Sequence, residues 1–247
     1  MRDMSGSAYA TSFGAQAAGY DRLRPRYPGA AIDYALHGRT PTRLLDLGAG
    51  TGLLTRDLVG RAPEVLAVEP DDAMRAVLAD AVPGAVALAG TAERIPVPDA
   101  SLDAVLVGQA FHWFRRPDAD HELARVLRPG GVVALLWNIL DRSAPWVSGL
   151  YTATQQPAPP AGYQPSDLDE ALFTPAEERT VASTHELPGP DGVIGLAHTW
   201  SWVITRSPAE QRRIDRRLRI LITQHAELQQ PVVRLPQHTK VIRQYLR

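Results

Sequence analysis

The chain has 247 residues, 45% hydrophobic and 21% charged, with a formal net charge of -1; that length buries one substantial core, and that composition belongs to a folded domain and not a disordered one. The near-neutral charge exerts no long-range pull on a polyphosphate, so nucleic acid is not an expected partner. Cysteine is absent, which excludes disulfides, thiolate nucleophiles, Cys-ligated zinc and cysteine-held iron–sulfur clusters.

The opening stretch, MRDMSGSAYATSFG, lacks the apolar core of a secretory signal, and no stretch approaches the ~18 apolar residues of a membrane span. The expectation is a cytoplasmic protein without a membrane partner. Residues 12–36 read as two short helices around a proline-containing stretch, with Phe13, Ala17, Tyr20 and Leu23 at helical spacing. From Arg43 the pattern turns to short apolar runs at 43–47, 64–68, 86–88, 102–107 and 132–137, with helical stretches at 53–61, 72–80 and 118–127 between them. That alternation predicts an α/β fold with a mostly parallel sheet buried on both faces.

Beyond Trp137 regularity fades, and 145–175 reads as an irregular lid rich in Pro, Ala and Tyr. Ser207, Pro208 and Glu210 then form a helix start of capping-box type. The helix they open should bury Ile214, Leu218, Leu221 and Leu228, leaving Arg212, Arg213, Arg216, Arg217 and Arg219 on a solvated face. The tail, with Val232, Val233, Val241 and Ile242, supplies a closing strand. The expectation is one domain over 1–247: an N-terminal helical cap (1–38), a core (39–140), a lid or substrate segment (141–206), and a C-terminal helix with a closing strand (207–247).

The strongest motif is LLDLGAGTG, Leu44 to Gly52, an apolar strand that ends in an acid and runs into a turn with glycine at 48, 50 and 52. Glycine there permits positive φ and close ligand approach. The dinucleotide fingerprint differs, because its third glycine would fall at position 53, where this chain has Leu53. S-adenosylmethionine brings a sulfonium cation and a zwitterionic amino acid in place of a pyrophosphate, and Asp46 offers the matching negative charge. Glu69, in LAVEP, closes the second strand where a carboxylate can accept two hydrogen bonds from ribose hydroxyls.

On these residues the chain resembles the class I S-adenosylmethionine-dependent methyltransferases, in particular the ubiquinone/menaquinone-methyltransferase-like group that acts on small molecules. The resemblance extends through GTAERIPVPDASLDAVLVGQAFHWF (90–114), ELARVLRPGGVVAL (122–135) and, upstream, FGAQAAGYDRLRPRYP (13–28). It implies a doubly wound, Rossmann-like seven-stranded sheet with helices on both faces. It implies S-adenosyl-L-methionine as cofactor, with Gly48, Ala49, Gly50 and Gly52 beside the methionine part and Gln109 next to them. Glu69 would hold the ribose, Pro70 and Met74 the adenine face, and Thr91, Ala92 and Glu93 the adenine edge. Tyr20 and Arg24 of the cap are candidates for the cofactor carboxylate.

Methyl transfer from a sulfonium is an in-line displacement in which alignment supplies much of the acceleration. An oxygen acceptor would also need to lose its proton, and His112, in QAFHWF, is the candidate general base, with loop ordering as its structural alternative. The aromatic residues Trp137, Trp146, Tyr151, Tyr163, Trp200 and Trp202, with Asn138 and His198, point to a small, largely apolar methyl acceptor. Gly108, Gln109, Ala110 and Phe111 depart from the Asp/Asn-Pro-Pro-aromatic pattern of enzymes that methylate exocyclic base amines. No metal site is expected. Two other readings stay open: a non-catalytic S-adenosylmethionine-binding module and an NAD-dependent oxidoreductase.

Overall fold

The computed structural model describes residues 23–38, 40–156 and 168–247; Phe13, Ala17, Tyr20 and Tyr163 fall outside them. Seven strands form one sheet in the order β3-β2-β1-β4-β5-β7-β6. They are β1 (Arg43–Leu47), β2 (Glu64–Val68), β3 (Val86–Leu88), β4 (Leu102–Gly108), β5 (Leu127–Leu140), β6 (Glu177–Pro188) and β7 (Val232–Tyr245). The first five run parallel, while β7 lies antiparallel between β5 and β6. The sheet is therefore mostly parallel, as expected. Strand order reverses between β1 and β4, and the crevice outside the carboxyl ends of such strands is where open α/β sheets take ligands.

The central strands β1, β4 and β5 are apolar on both sides because both sides are covered. Leu45, Leu47, Val105, Val107, Val133 and Leu135 join the core beneath Leu123 and Val126 of α4 (Asp118–Val126). Their sequence neighbours Leu44, Leu106, Val132 and Leu136 pack on the opposite face. There they meet Ile32 of α1 (Gly29–Ala35) and Leu54 and Leu58 of α2 (Leu53–Leu58). This period-two division is the pleat expressed in packing, and each fully buried Leu contributes about 1.5–3 kcal/mol. Helix α3 (Asp72–Ala81) starts where it does because the Asp71 carboxylate accepts from the amides of Ala73 and Met74.

The described part of the lid is more ordered than its composition suggests. The stretch from Pro145, expected to be irregular, forms α5 (Pro145–Thr154) with proline in the first turn, where a missing N–H costs nothing. β6, α6 (Gly189–Ala197) and α7 (Ser201–Ile204) follow, then α8 (Pro208–Gln224). Ser207 and Glu210 make the expected capping box on α8. Ile214, Leu218 and Leu221 are buried, and the five arginines of that helix are exposed. Leu228 is buried in the turn after the helix. A second core, including Trp146, Leu150, Leu196, Trp200 and Leu218, packs against Leu187, Val233 and Leu235 of the antiparallel β6–β7 pair. Thus β5, β6 and β7 serve both layers. Among the described residues no helix is long and apolar enough to cross a membrane.

Candidate functional site

A cavity of about 960 Å³ opens at the carboxyl ends of β1, β2 and β4, a volume at the upper end of single-ligand sites. Its floor is the turn after β1. Gly48, Gly50 and Gly52 all take positive φ, but they face different neighbours. A Cβ on Gly50 would meet nothing nearer than Met74 Sδ at 3.9 Å, so that glycine is open toward the cavity. A Cβ on Gly52 would fall 2.6 Å from Leu78 Cδ1 of α3, and Gly52 is not part of the cavity wall. Gly52, expected beside the cofactor, faces Leu78 and Val82 instead of the cavity and lets α3 pack against the turn.

Under this turn sits Asp46, 1% exposed. Its Oδ2 accepts from Thr55 Oγ1 at 2.6 Å, and its Oδ1 is buried with no hydrogen-bond partner. Burial pushes its carboxyl up to about 7; the Thr55 hydroxyl pulls the other way, and the acids Glu69 and Asp57 add to the rise. Glu69, at the end of β2, is also buried. Its Oε2 accepts from the Gly50 amide at 2.8 Å and its Oε1 from the Asp71 amide at 2.9 Å. Burial raises its pKa as well, against the pull of those amides. The β2 carboxylate therefore fixes the glycine turn from the side and keeps lone pairs on both oxygens for a ligand diol.

Pro70, Met74, Thr91, Ala92 and Glu93 line the same cavity. The loop that carries the last three is held by two backbone hydrogen bonds between Thr91 and Arg94. It is also held by Arg125, which donates to the carbonyls of Ile95 and Val97. Glu93 is committed locally, since its Oε1 accepts from the Arg115 amide at 2.8 Å. Gln109, at φ 56°, reaches the wall and donates to the Asn138 carbonyl at 2.8 Å.

The segment from Leu23 to Tyr27 passes over the cavity, fastened from several elements. His185 of β6 donates to the Leu23 carbonyl at 2.8 Å, and Arg24 donates to the Thr199 carbonyl at 2.7 Å. Asn138 of β5 donates to Pro25, and Arg26 pairs with Asp57 of α2. Arg24, Pro25 and Tyr27 line the cavity. Tyr20 lies outside the described residues. The far wall is aromatic and apolar: Tyr151 stacks on Trp200 with centroids 5.7 Å apart, and Trp200 stacks on Trp202 at 4.9 Å. Ile139, Leu140 and Leu196 continue it. Trp146 is core, and His198 donates to Asp215 at 2.6 Å, which ties α6 to α8.

His112 is not on the cavity wall, although Trp113 and Phe114 are. Its ring packs against Trp113 and Trp137, with centroids 4.5 and 5.4 Å away. Desolvation of the ring lowers its pKa to about 4, so the imidazole is neutral at pH 7. The structure thus gathers Arg24, Asp46, Gly48, Ala49, Gly50, Glu69, Pro70, Met74, Thr91, Ala92, Glu93 and Gln109, and leaves out Gly52 and His112. Sequence reasoning missed Thr55, Tyr27 and Asp71. Only Asp71 carried a local signal, as an acid just before a helical stretch. Among the described residues no group of acids and histidines could hold a metal ion.

A family model described as "Methyltransferase domain" matches residues 45–135. An uncharacterized methyltransferase of Mycobacterium tuberculosis is 43% identical over 244 residues, covering 98% of this chain and 96% of that protein. A malonyl-[acyl-carrier protein] O-methyltransferase of Methylococcus capsulatus is 41% identical over 133 residues, 50% of this chain and 48% of that one. A solved structure from Anaeromyxobacter dehalogenans, named as a type II methyltransferase, superposes with a TM-score of 0.64 at 25% identity over 90% of this chain and 97% of its own.

Proposed function

The chain belongs to the class I S-adenosylmethionine-dependent methyltransferases, and on that premise we propose that it methylates an oxygen, nitrogen or carbon atom of a small, largely apolar acceptor held against the Tyr151, Trp200 and Trp202 wall. The observation that carries this reading is the pairing of an acid floor with an aromatic wall in one cavity. Asp46 is a buried carboxylate with one oxygen unpartnered, and the charged groups acting on it are themselves acids. Such a group is suited to a cationic ligand and poorly suited to a pyrophosphate. Leu53 supports the same choice, because its side chain lines the cavity where the dinucleotide fingerprint requires glycine.

S-adenosylmethionine supplies an activated methyl group on a positively charged sulfur. The chain's own part is position and shielding. Asp46 offers negative charge from below, Glu69 lone pairs for the ribose diol, and Gly50 room for close approach. Arg24 and Tyr27 close the top, and the stacked rings orient a flat or apolar acceptor while excluding water. Orientation of this kind supplies up to ~7–11 kcal/mol of barrier reduction in favourable systems. The relative from Methylococcus, named for methylation at oxygen, supports an oxygen acceptor.

The test is a screen of lysate metabolites, small phenols and carboxylic acids with methyl-labelled S-adenosylmethionine. Label in an apolar small molecule with matching release of adenosylhomocysteine is the expected result. Cofactor binding with no transfer to any acceptor would favour the non-catalytic reading.

A further inference from the structure

The buried pair below the glycine turn goes one step further than the cofactor reading, on which it rests. Thr55 and Asp46 are 0% and 1% exposed, and the hydroxyl and carboxylate are 2.6 Å apart. The hydroxyl is the one side-chain donor to a carboxylate whose second oxygen is orphaned. We propose that Thr55 is a positioning residue for the cofactor: its hydroxyl fixes Asp46 in the orientation and the charged state that the cationic ligand requires.

The surroundings explain why such a donor is needed. The charged groups acting on Asp46 are Glu69 from β2 and Asp57 from α2, and both disfavour a second negative charge. Glu69 is partly offset by Arg75, and Asp57 by Arg26. Burial is the larger opponent and brings the carboxyl to about 7 even with Thr55 in place. The hydroxyl and the main-chain N–H of Thr55 favour the charged form. Loss of the hydroxyl alone moves ionisation above neutrality. A cationic ligand must then expel a proton from Asp46, whereas an uncharged nucleoside in the same cavity has no stake in that charge.

The experiment is calorimetric titration of the wild-type chain, Thr55→Val, Thr55→Ala and Thr55→Ser with S-adenosylmethionine and with uncharged 5′-methylthioadenosine, from about pH 6 to about pH 9. Val keeps the shape, Ala introduces no crowding should Val misfold, and Ser restores the hydroxyl. The expected result is a loss of about tenfold in S-adenosylmethionine affinity at neutral pH for Val or Ala. Most of that affinity returns near the alkaline end, Ser stays close to wild type, and methylthioadenosine binding is unchanged. A loss that is equal at every pH, or equal for both nucleosides, overturns the role of Thr55 and leaves the methyltransferase reading intact. A wild-type chain that binds neither nucleoside removes both.

Discussion

Asn138 Nδ2 donates to the Pro25 carbonyl at 3.1 Å while its Oδ1 accepts from Thr239 Oγ1 at 2.6 Å, so one amide links the segment over the cavity to β5 and β7. Asn138→Ala removes both bonds, from the half-buried Pro25 carbonyl and from the fully buried Thr239 hydroxyl. The expected outcome is cofactor binding weaker by fivefold to tenfold, with faster amide exchange at Arg26 and Tyr27. Calorimetry and exchange read the two together. Unchanged affinity would show that the 23–27 segment covers the cavity without shaping it.

Gly50 and Gly52 share a positive φ and differ in what lies beyond it. Gly52→Ala drives a methyl into Leu78 at 2.6 Å and Val82 at 2.9 Å, so it should destabilise the fold by several kcal/mol in denaturant unfolding, from overpacking plus backbone strain. Gly50→Ala has space on the protein side, and its stability loss should stay near the ~1–2 kcal/mol of left-handed strain. Its cofactor affinity should nevertheless fall at least tenfold. The reverse ranking of the two variants would exchange their roles.

β1 and β2 were legible because each is buried on both faces, which leaves an unmistakable apolar run at 43–47 and 64–68; the edge strand β3 was legible at 86–88 from its short apolar run alone, since Val86 is exposed. β6 was not legible. Glu177–Pro188 is an edge strand with a mostly exposed surface, so EERTVASTHELP carries no apolar signature, and its pairing to β7 supplies the order. Likewise α5 begins at a proline inside a segment rich in loop formers, and it is helical because Trp146, Val147 and Leu150 reach the second core. At the site, residues fixed by strand ends were readable by position. Thr55 was not, since its meaning depends on which carboxylate the first turn of α2 happens to face.

Asp46→Ala and Glu69→Ala should each weaken S-adenosylmethionine binding by at least tenfold, about 1.4 kcal/mol. Their signatures should differ. Glu69 also holds the Gly50 and Asp71 amides, so its loss loosens the turn and affects every adenosine-containing ligand. The Asp46 variant should discriminate against the cation alone. Titration with S-adenosylmethionine and methylthioadenosine separates them; identical losses with both ligands in both variants would assign the two acids one merely structural role.

The Asp46 carboxyl also gives the ligand-free chain a pH-dependent stability. Burial, opposed by Thr55, raises its pKa from 3.8 to about 7. Between those values the folded state therefore keeps a proton that the unfolded chain has released. The contribution is complete below about pH 4 and is lost as pH climbs through about 7, with a total on the order of 4 kcal/mol. Asp46→Asn has no such proton, so its stability relative to wild type should improve by a few kcal/mol from acid to mildly alkaline buffer. Urea unfolding at about pH 4.5 and about pH 8 measures this, and a constant difference would mean that Asp46 ionises normally.

His112 invites a catalytic role by its place in QAFHWF, just after β4, and the packing around it argues otherwise. Its ring lies against Trp113 and Trp137 and not on the cavity wall. A pKa lowered toward 4 makes its neutral form a weak proton acceptor, because the driving force for abstraction falls with basicity. His112→Ala should therefore preserve cofactor affinity and keep turnover within about threefold, with a modest stability loss from the ring contacts. His112→Gln should behave alike. A drop of a hundredfold in turnover with cofactor binding unchanged would return the imidazole to the reaction, and would require the loop after β4 to turn inward when the acceptor binds.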